Sequence, residues 1–298
     1  MDGLLIIDKP VGLTSHDVVA RVRRILKTKR VGHTGTLDPF ATGVLVLAVG
    51  RATRLIRFLD KDEKEYDALA RFGFETDTGD RTGTPLEAEN YTDLQQLTSE
   101  RIESALVNFR GTIEQVPPMY SAKKVEGKKL YELARSGITI ERKPVSVTIR
   151  ELELTTLSDV SNNTRDAAFR VACSAGTYVR TLAEDIGRTL GVGAHLAELR
   201  RTRAGRFSMT DTVTLEALES STEPAAMLLE ADMAVAHLPL FTLPDDRIDK
   251  TLNGLSTRAD DEYQDGSNVR MIDRIGNLIA VGIYNESEKT IQPKVVLG

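Results

Sequence analysis

The sequence predicts an α+β fold in which helices flank a mixed, mainly antiparallel central sheet, with a small β-rich domain at the C-terminus. Apolar segments of strand and helix length follow one another without the regular rhythm of a doubly wound fold. The 298 residues suit two domains, and 41% apolar residues are enough for a substantial core. After residues 238–244 (LPLFTLP) the chain becomes acidic and rich in turn residues. The predicted domains are therefore residues 1–240 and 241–298.

Hydrophobic periodicity places the individual elements. Helices are predicted after a cap at Thr14 or Ser15, and over residues 99–109, 128–136 and 179–190, the last ending at Gly191. Apolar or alternating runs predict strands at residues 3–7, 44–49, 66–72, 145–154, 170–173, 269–272 and 278–281.

The net charge of −5 argues weakly against a nucleic-acid partner, but the charge is unevenly distributed. Residues 1–59 carry ten basic and four acidic side chains, and residues 110–150 carry nine and four. Residues 207–298 instead carry seven basic and sixteen acidic side chains. A basic patch matters more than the total when the partner is a phosphate backbone. Charge alone leaves open whether these lysines and arginines bind RNA or are simply solvated.

Several classes of protein are not expected from the composition. Cys173 is the single cysteine, in an alternating apolar run, and is predicted to be a buried hydrophobe in a protein of the reducing cytoplasm. The N-terminus does not resemble a signal peptide, and no apolar stretch is long enough to span a membrane. The four histidines are scattered, so no metal site is predicted.

The segment of residues 32–43 concentrates residues suited to a functional loop. It contains three glycines, His33 and the pair Asp38-Pro39 between two strand-like segments. Glycine permits close backbone approach, and Asp-Pro holds a carboxylate on a rigid turn. No Gly-Lys-Ser/Thr follows, so this is not a Walker loop. By itself the pattern leaves Asp38 either as a turn-capping aspartate or as a reactive carboxylate.

A series of motifs resembles the bacterial tRNA pseudouridine-55 synthases, the TruB family. Its blocks occur in the expected order between about residues 3 and 206, and the resemblance weakens after residue 240. The motifs are DKP (8–10), TS (14–15), GHTGTLDP (32–39), ATGVL (41–45), Tyr66, TDTGD (76–80), PPMYSA (117–122), GTYVR (176–180) and residues 196–203. The resemblance implies a pseudouridine synthase fold, with an RNA-binding thumb at about 117–137 and a PUA-like RNA-binding domain at 241–298.

The resemblance also implies a reaction and a site. The expected reaction isomerises the uridine at position 55, in the T-loop of tRNA, to pseudouridine on a flipped-out nucleotide. Asp38 would be the essential carboxylate, either attacking C1′ or removing a proton at C2′, and Arg180 would lower its pKa to keep it ionised. No cofactor is expected because the isomerisation is redox-neutral. The expected substrate-binding residues are Tyr66, Tyr178, Arg180, Leu199, His33 and Lys9, with Lys9 supporting either the loop or the substrate.

The partner implied by the family is the T-arm of tRNA, bound by a monomer without an obligate protein partner. Candidate contacts to the RNA backbone are Lys123, Lys124, Lys128, Arg200, Arg201 and Arg203. An RNA-binding protein acting mainly as a tRNA folding chaperone is one alternative, and the catalytic subunit of a guide-RNA particle is another. A phosphate-binding metabolic enzyme is the third, disfavoured because no cofactor fingerprint accompanies the glycine-rich loop.

Overall fold

The computed structural model describes residues 1–59, 62–86, 93–121, 123–125, 127–259 and 263–297. The α-helices in these residues are α1 (Ser15–Ile25), α2 (Ile56–Leu59), α3 (Ser99–Leu106), α4 (Leu130–Arg135), α5 (Val179–Leu190), α6 (Leu215–Ser220) and α7 (Asp245–Leu252). The strands are β1 (Gly3–Lys9), β2 (Val31–His33), β3 (Thr42–Val49), β4 (Lys64–Phe72), β5 (Gly111–Gln115), β6 (Lys124–Val125), β7 (Lys128–Lys129), β8 (Val145–Leu157), β9 (Arg165–Cys173), β10 (Ala194–Ala204), β11 (Phe207–Ser208), β12 (Leu240–Thr242), β13 (Thr257–Arg258), β14 (Asn268–Ile272), β15 (Leu278–Asn285) and β16 (Thr290–Val296).

The central sheet has nine strands, most of them in the order β1-β3-β10-β4-β9-β8-β5. β2 pairs with β3, and β11 pairs with β10. Its registered strand pairs are antiparallel apart from β3 and β10, which run parallel. The predicted class, α+β with a mixed and mainly antiparallel sheet, is therefore confirmed.

β3 is covered on both faces, which explains its unbroken apolar sequence. Leu45 and Leu47 belong to the larger core cluster, which also contains α1 residues such as Val18. Val44 and Val46 point the other way into a second cluster. Leucine-to-alanine changes at such buried positions typically cost ~2–5 kcal/mol, so this strand is a rigid base for the loop that precedes it.

The helices α1 and α5 have termini that the sequence predicts. Thr14 is the N-cap of α1 and forms a capping box with Asp17. α5 ends at Gly191, whose φ of 72° places it in the left-handed region that glycine adopts without strain. The sequence predicts both termini because the residues that cap a helix lie within a few positions of its end.

Other elements differ from the predictions. Residues 128–129 form a short strand paired with β6, so the helix predicted there begins only at Leu130. The helix predicted over residues 99–109 closes with a 3₁₀ turn at Val107–Phe109. The sequence does not predict β10 as a strand, because its charged residues hide the alternation that identifies one. β10 is nevertheless central, lying between β3 and β4.

The C-terminal residues form a separate five-stranded sheet in the order β12-β14-β15-β16-β13, as the strand-like pattern of this region indicated. Val281, Val295 and Leu297 share the second core cluster with Leu4 and Val46. This sheet therefore packs on the outer face of β1 and β3. In the described parts of the chain, no helix is long and apolar enough to cross a membrane.

Candidate active site

Asp38 lies on the loop between β2 and β3, and the start of α1 holds this loop on one side. The Ser15 hydroxyl accepts a hydrogen bond from the Leu37 amide at 2.8 Å and donates one to the Leu37 carbonyl at 3.2 Å. On the other side, the Gly12 amide donates to the Pro39 carbonyl at 2.7 Å. The residues immediately before and after Asp38 are thus both fixed.

Lys9 is fully buried beneath the same loop. Its ammonium donates to the carbonyls of Leu13 at 2.6 Å, Pro10 at 2.9 Å and Pro39 at 3.4 Å. Burial lowers the Lys9 pKa to about 8, with the Asp38 charge opposing that shift. Of the two roles expected for Lys9, supporting the loop or binding the substrate, these contacts favour the first, because the ammonium donates to three backbone carbonyls.

Arg180, in the first turn of α5, is the principal partner of Asp38. Its side chain is 5% exposed, and Nε lies 2.9 Å from Asp38 Oδ2. Its Nη1 donates to the Thr78 carbonyl at 2.8 Å, and Nη2 to the Tyr120 carbonyl at 2.6 Å. Nη1 also lies 3.5 Å from Asp80 Oδ2. One guanidinium therefore ties together the Asp38 loop, the 76–80 segment and the start of the 117–137 segment.

Asp80 is a positioning residue that the sequence reasoning did not assign. It is buried, and its Oδ1 accepts hydrogen bonds from the Thr82 amide at 2.9 Å and the Thr78 hydroxyl at 3.0 Å. The TDTGD motif is evident in the sequence, but only the tertiary structure shows that its last carboxylate lies near Arg180.

The pKa of Asp38 is raised overall, although Arg180 lowers it as expected. A third of the Asp38 side chain stays exposed, yet loss of water around the carboxyl is the largest influence and favours the neutral form. Arg180 opposes this rise, and the negative charge of Asp80 adds to it. The carboxylate is consequently more basic than an ordinary aspartate, and Arg180 limits how far this goes.

Asp38 and Arg180 form part of the wall of a cavity of about 260 Å³, which also includes Tyr66, Tyr178 and Leu199. A space of this size is small among ligand sites, so it suits one nucleoside rather than a length of chain. Tyr66 comes from β4, Leu199 from β10 and Tyr178 from the N-cap of α5. The structure therefore brings together four of the predicted substrate-binding residues with Asp38.

His33 lies outside the residues that line this cavity. It is half-buried in β2, with its ring edge-on to His16 at a centroid separation of 5.4 Å. Burial and the neighbouring positive groups lower its pKa to about 4, so the ring is neutral at pH 7. A neutral, half-buried ring suits packing rather than proton transfer.

The three predicted β10 arginines have different surroundings. Arg201 is 1% exposed, with Nε donating to the Val44 carbonyl at 2.6 Å, so the expected phosphate contact is corrected to a buried structural role. Arg200 pairs with Asp8 at 2.8 Å, and Arg203 pairs with Glu65. These two remain partly exposed, but their charges are already compensated.

The structure describes only part of the predicted thumb, residues 117–137. Lys123 lines the active-site cavity, whereas the side chains of Lys124 and Lys128 lie outside the described residues. Cys173 is buried as predicted, and burial raises the pKa of its thiol to about 11. No group of three His, Cys, Asp or Glu side chains suited to a metal occurs in the described ranges.

Comparison with solved structures places the fold among the pseudouridine synthases. One similar structure is an H/ACA RNP bound to a substrate RNA containing 2′-deoxyuridine, with TM-score 0.73 and 26% identity, covering 99% of this chain and 85% of that chain. Another is a Cbf5-Nop10-Gar1 complex, with TM-score 0.73, 27% identity and coverage of 99% and 84%.

The chain belongs to the TruB family of pseudouridylate synthases. Residues 23–179 match the N-terminal domain model of that family, and residues 180–236 match the tRNA pseudouridylate synthase B C-terminal domain. The tRNA pseudouridine synthase B of Solibacter usitatus is 46% identical, covering 95% of each chain. That of Bacillus subtilis is 39% identical, covering 100% of this chain and 98% of the relative.

Proposed function

We propose that the enzyme isomerises the uridine at position 55 in the tRNA T-loop to pseudouridine, with the Asp38 carboxylate acting on a flipped-out nucleotide. The observation that carries the proposal is the 2.9 Å pair of Asp38 and Arg180 in a nucleoside-sized cavity lined by two tyrosines. Relatives named tRNA pseudouridine synthase B, 39–46% identical over nearly the whole chain, support the choice of substrate.

The chemistry requires only one reacting carboxylate. When the N1–C1′ bond breaks, its electron pair stays on the uracil and is spread over the two carbonyl groups. The leaving group therefore needs no protonation by a second acid, unlike the sugar oxygen in most glycosidases. Asp38 acts either as the nucleophile at C1′ or as the base at C2′, and its raised pKa favours both roles once it is ionised. The uracil then rejoins through C5 and loses its C5 proton.

The aromatic wall gives the flipped base a place to bind. Extruding a uridine from its stack costs a few kcal/mol, and stacking on an aromatic side chain is worth ~1–3 kcal/mol per base. Tyr66 supplies that stacking surface, Tyr178 and Leu199 close the pocket, and His33 fills the place that the base leaves in the loop.

RNA outside the cavity is held by basic side chains on the surface. The 117–137 segment folds over the T-arm and contributes Lys123, Lys124 and Lys128, while Arg200 and Arg203 add weaker contacts. Affinity for tRNA therefore falls steeply as salt rises. The 241–298 sheet is proposed as a PUA-like domain that touches RNA with a limited face, since residues 207–298 are strongly acidic.

The enzyme is proposed to work as a monomer in the cytoplasm, without an obligate protein partner and without a cofactor. The solved structures reported above include protein and RNA complexes, but the relatives with 39–46% identity carry the name of a tRNA-modifying enzyme. The alternative hypothesis, a catalytic subunit of a guide-RNA particle, is therefore less favoured.

The test is release of tritium from unmodified tRNA labelled at uracil C5. The parent protein should release one tritium per tRNA, and a transcript carrying cytidine at position 55 should release none. Asp38→Asn should abolish release, while Asp159→Asn, at an exposed loop position, should behave as the parent. Lack of release by the parent, or undiminished release by Asp38→Asn, would contradict the assignment.

The tRNA folding chaperone remains a compatible second function. Binding by the 117–137 segment does not use the Asp38 carboxylate, so Asp38→Asn should retain tRNA affinity. A refolding assay on that variant separates the two activities, because only pseudouridine formation should be lost.

A further inference from the structure

The hydroxyl of Ser121 is buried without a partner. Ser121 is 6% exposed, and its Oγ makes no hydrogen bond with any described residue. Leaving such a group unsatisfied costs roughly 1–3 kcal/mol, and folded proteins keep few of them. A site that retains the group is suited to a ligand that completes its hydrogen bond.

Ser121 occupies the boundary between two cavities. It lines the 260 Å³ cavity with Tyr66 and Tyr178, and also an adjoining one of about 420 Å³. Asp38 and Arg180 line both cavities as well. Ser121 therefore lines the same two cavities as the reacting carboxylate.

The backbone beside Ser121 is fixed by the guanidinium that holds Asp38. Arg180 Nη2 donates to the Tyr120 carbonyl at 2.6 Å, while Nε of the same group lies 2.9 Å from Asp38 Oδ2. The distance between the Ser121 backbone and the Asp38 carboxylate is consequently set by one rigid, planar group.

Tyr178 stands next to Ser121 on the cavity wall. Burial raises the Tyr178 pKa and the nearby Ser121 side chain opposes that rise, but the two hydroxyls do not meet the geometry of a hydrogen bond. The Tyr178 backbone is held on both sides by buried Gln115, which accepts from its amide at 3.0 Å and donates to its carbonyl at 3.2 Å. Ser121 and Tyr178 thus both line the cavity proposed for the base.

We propose that Ser121 donates a hydrogen bond to a carbonyl oxygen of the flipped uracil and holds the base while it is detached from the ribose. This rests on the proposed pseudouridine-forming activity. When N1–C1′ breaks, the electron pair becomes negative charge shared by the ring nitrogen and the carbonyl oxygens. The hydroxyl compensates that charge without giving up its proton. Its freely rotating O–H can follow the oxygen as the ring turns to present C5 to C1′.

The test combines Ser121→Ala with thiolated substrates, using tRNA tritiated at C5 of position 55. Ser121→Ala should slow single-turnover release about 10–100-fold, change the Kd for tRNA less than twofold and leave the melting temperature unlowered. Ser121→Thr, which keeps the hydroxyl, should recover much of the rate. Ser161→Ala, at an exposed turn serine, should match the parent.

The position of the contact is read from 2-thiouridine and 4-thiouridine at position 55, because sulfur is the weaker acceptor. One of these two thio-substitutions should slow release by the parent protein. The same substitution should not slow the Ser121→Ala variant below its rate on unsubstituted tRNA. If Ser121→Ala keeps the parent rate, or if both thio effects persist undiminished in it, the inference is wrong. If the proposed function itself were wrong, the parent protein would release no tritium, and this outcome is distinct from a failure of the Ser121 inference.

Discussion

Two buried arginines, Arg180 and Arg201, line the same cavity and have different roles. Arg180, at the start of α5, binds the two carboxylates Asp38 and Asp80 as well as two carbonyls. Arg201, in β10, binds the carbonyls of Val44 and Gly35 and faces the Tyr66 phenol, whose pKa it helps to lower against burial. One arginine controls an ionisable reactant, and the other fixes the backbone and the aromatic wall.

The difference shows that burial of a guanidinium says little about its role. A guanidinium cannot lose its proton inside a protein, so it must be surrounded by acceptors. Where those acceptors are carboxylates, it tunes charge and reactivity. Where they are carbonyls, it stabilises the fold. Variants of the two regions should therefore separate catalysis from stability.

The largest effect is expected for Arg180→Met. Removing the guanidinium leaves Asp38 and Asp80 facing each other without a cation and frees the Tyr120 carbonyl. Misplacing a reacting group by about 1 Å can cost ~10²-fold, so kcat should fall by at least that. Single-turnover tritium release measures it, and Arg180→Lys should recover only part of the rate because it cannot reach all four acceptors. Parent-like release by Arg180→Met would remove Arg180 from the mechanism.

Arg201→Met should chiefly affect folding. The carbonyls of Val44 and Gly35 lose their donor, and leaving the buried Val44 carbonyl unsatisfied costs ~1–3 kcal/mol when no other donor replaces it. Urea unfolding should show a clear loss of stability, whereas kcat at a permissive temperature should fall less than for Arg180→Met. The comparison fails if Arg201→Met unfolds like the parent but loses activity as strongly as Arg180→Met.

Asp80→Asn sharpens the electrostatic part of the comparison. The amide keeps an oxygen for Thr78 and Thr82 but removes the negative charge that raises the pKa of Asp38. Asp38 should then ionise at lower pH, and the acid limb of the kcat profile should move to lower pH. Asp77→Asn, next to the same turn, is the control. An acid limb that stays in place or moves upward would show that Asp80 does not act on Asp38 through its charge.

The smallest effect concerns Glu184, one helical turn after Arg180. Burial raises its pKa to about 7, from 4.5 for an ordinary glutamate. The folded protein thus binds a proton at Glu184 more tightly than the unfolded chain does. The free energy of unfolding therefore decreases as pH rises from about 4.5 to 7. Glu184→Gln should remove roughly 1–3 kcal/mol of that pH-dependent loss. Urea titrations at pH 5 and pH 8 measure it, with exposed Glu219→Gln as control. An unchanged pH dependence in Glu184→Gln would contradict the raised pKa.

The sequence by itself determined the class of fold, the position of Asp38 and most elements near it. Caps such as Thr14 and Gly191 and the apolar run of β3 are local signals, because a cap or a doubly covered strand leaves its chemistry in neighbouring residues. Only the tertiary structure decided the role of Asp80, the burial of Arg201 and the raised pKa of Asp38. Each of these depends on groups distant in the chain, and desolvation and charge pairing act through space rather than along the sequence.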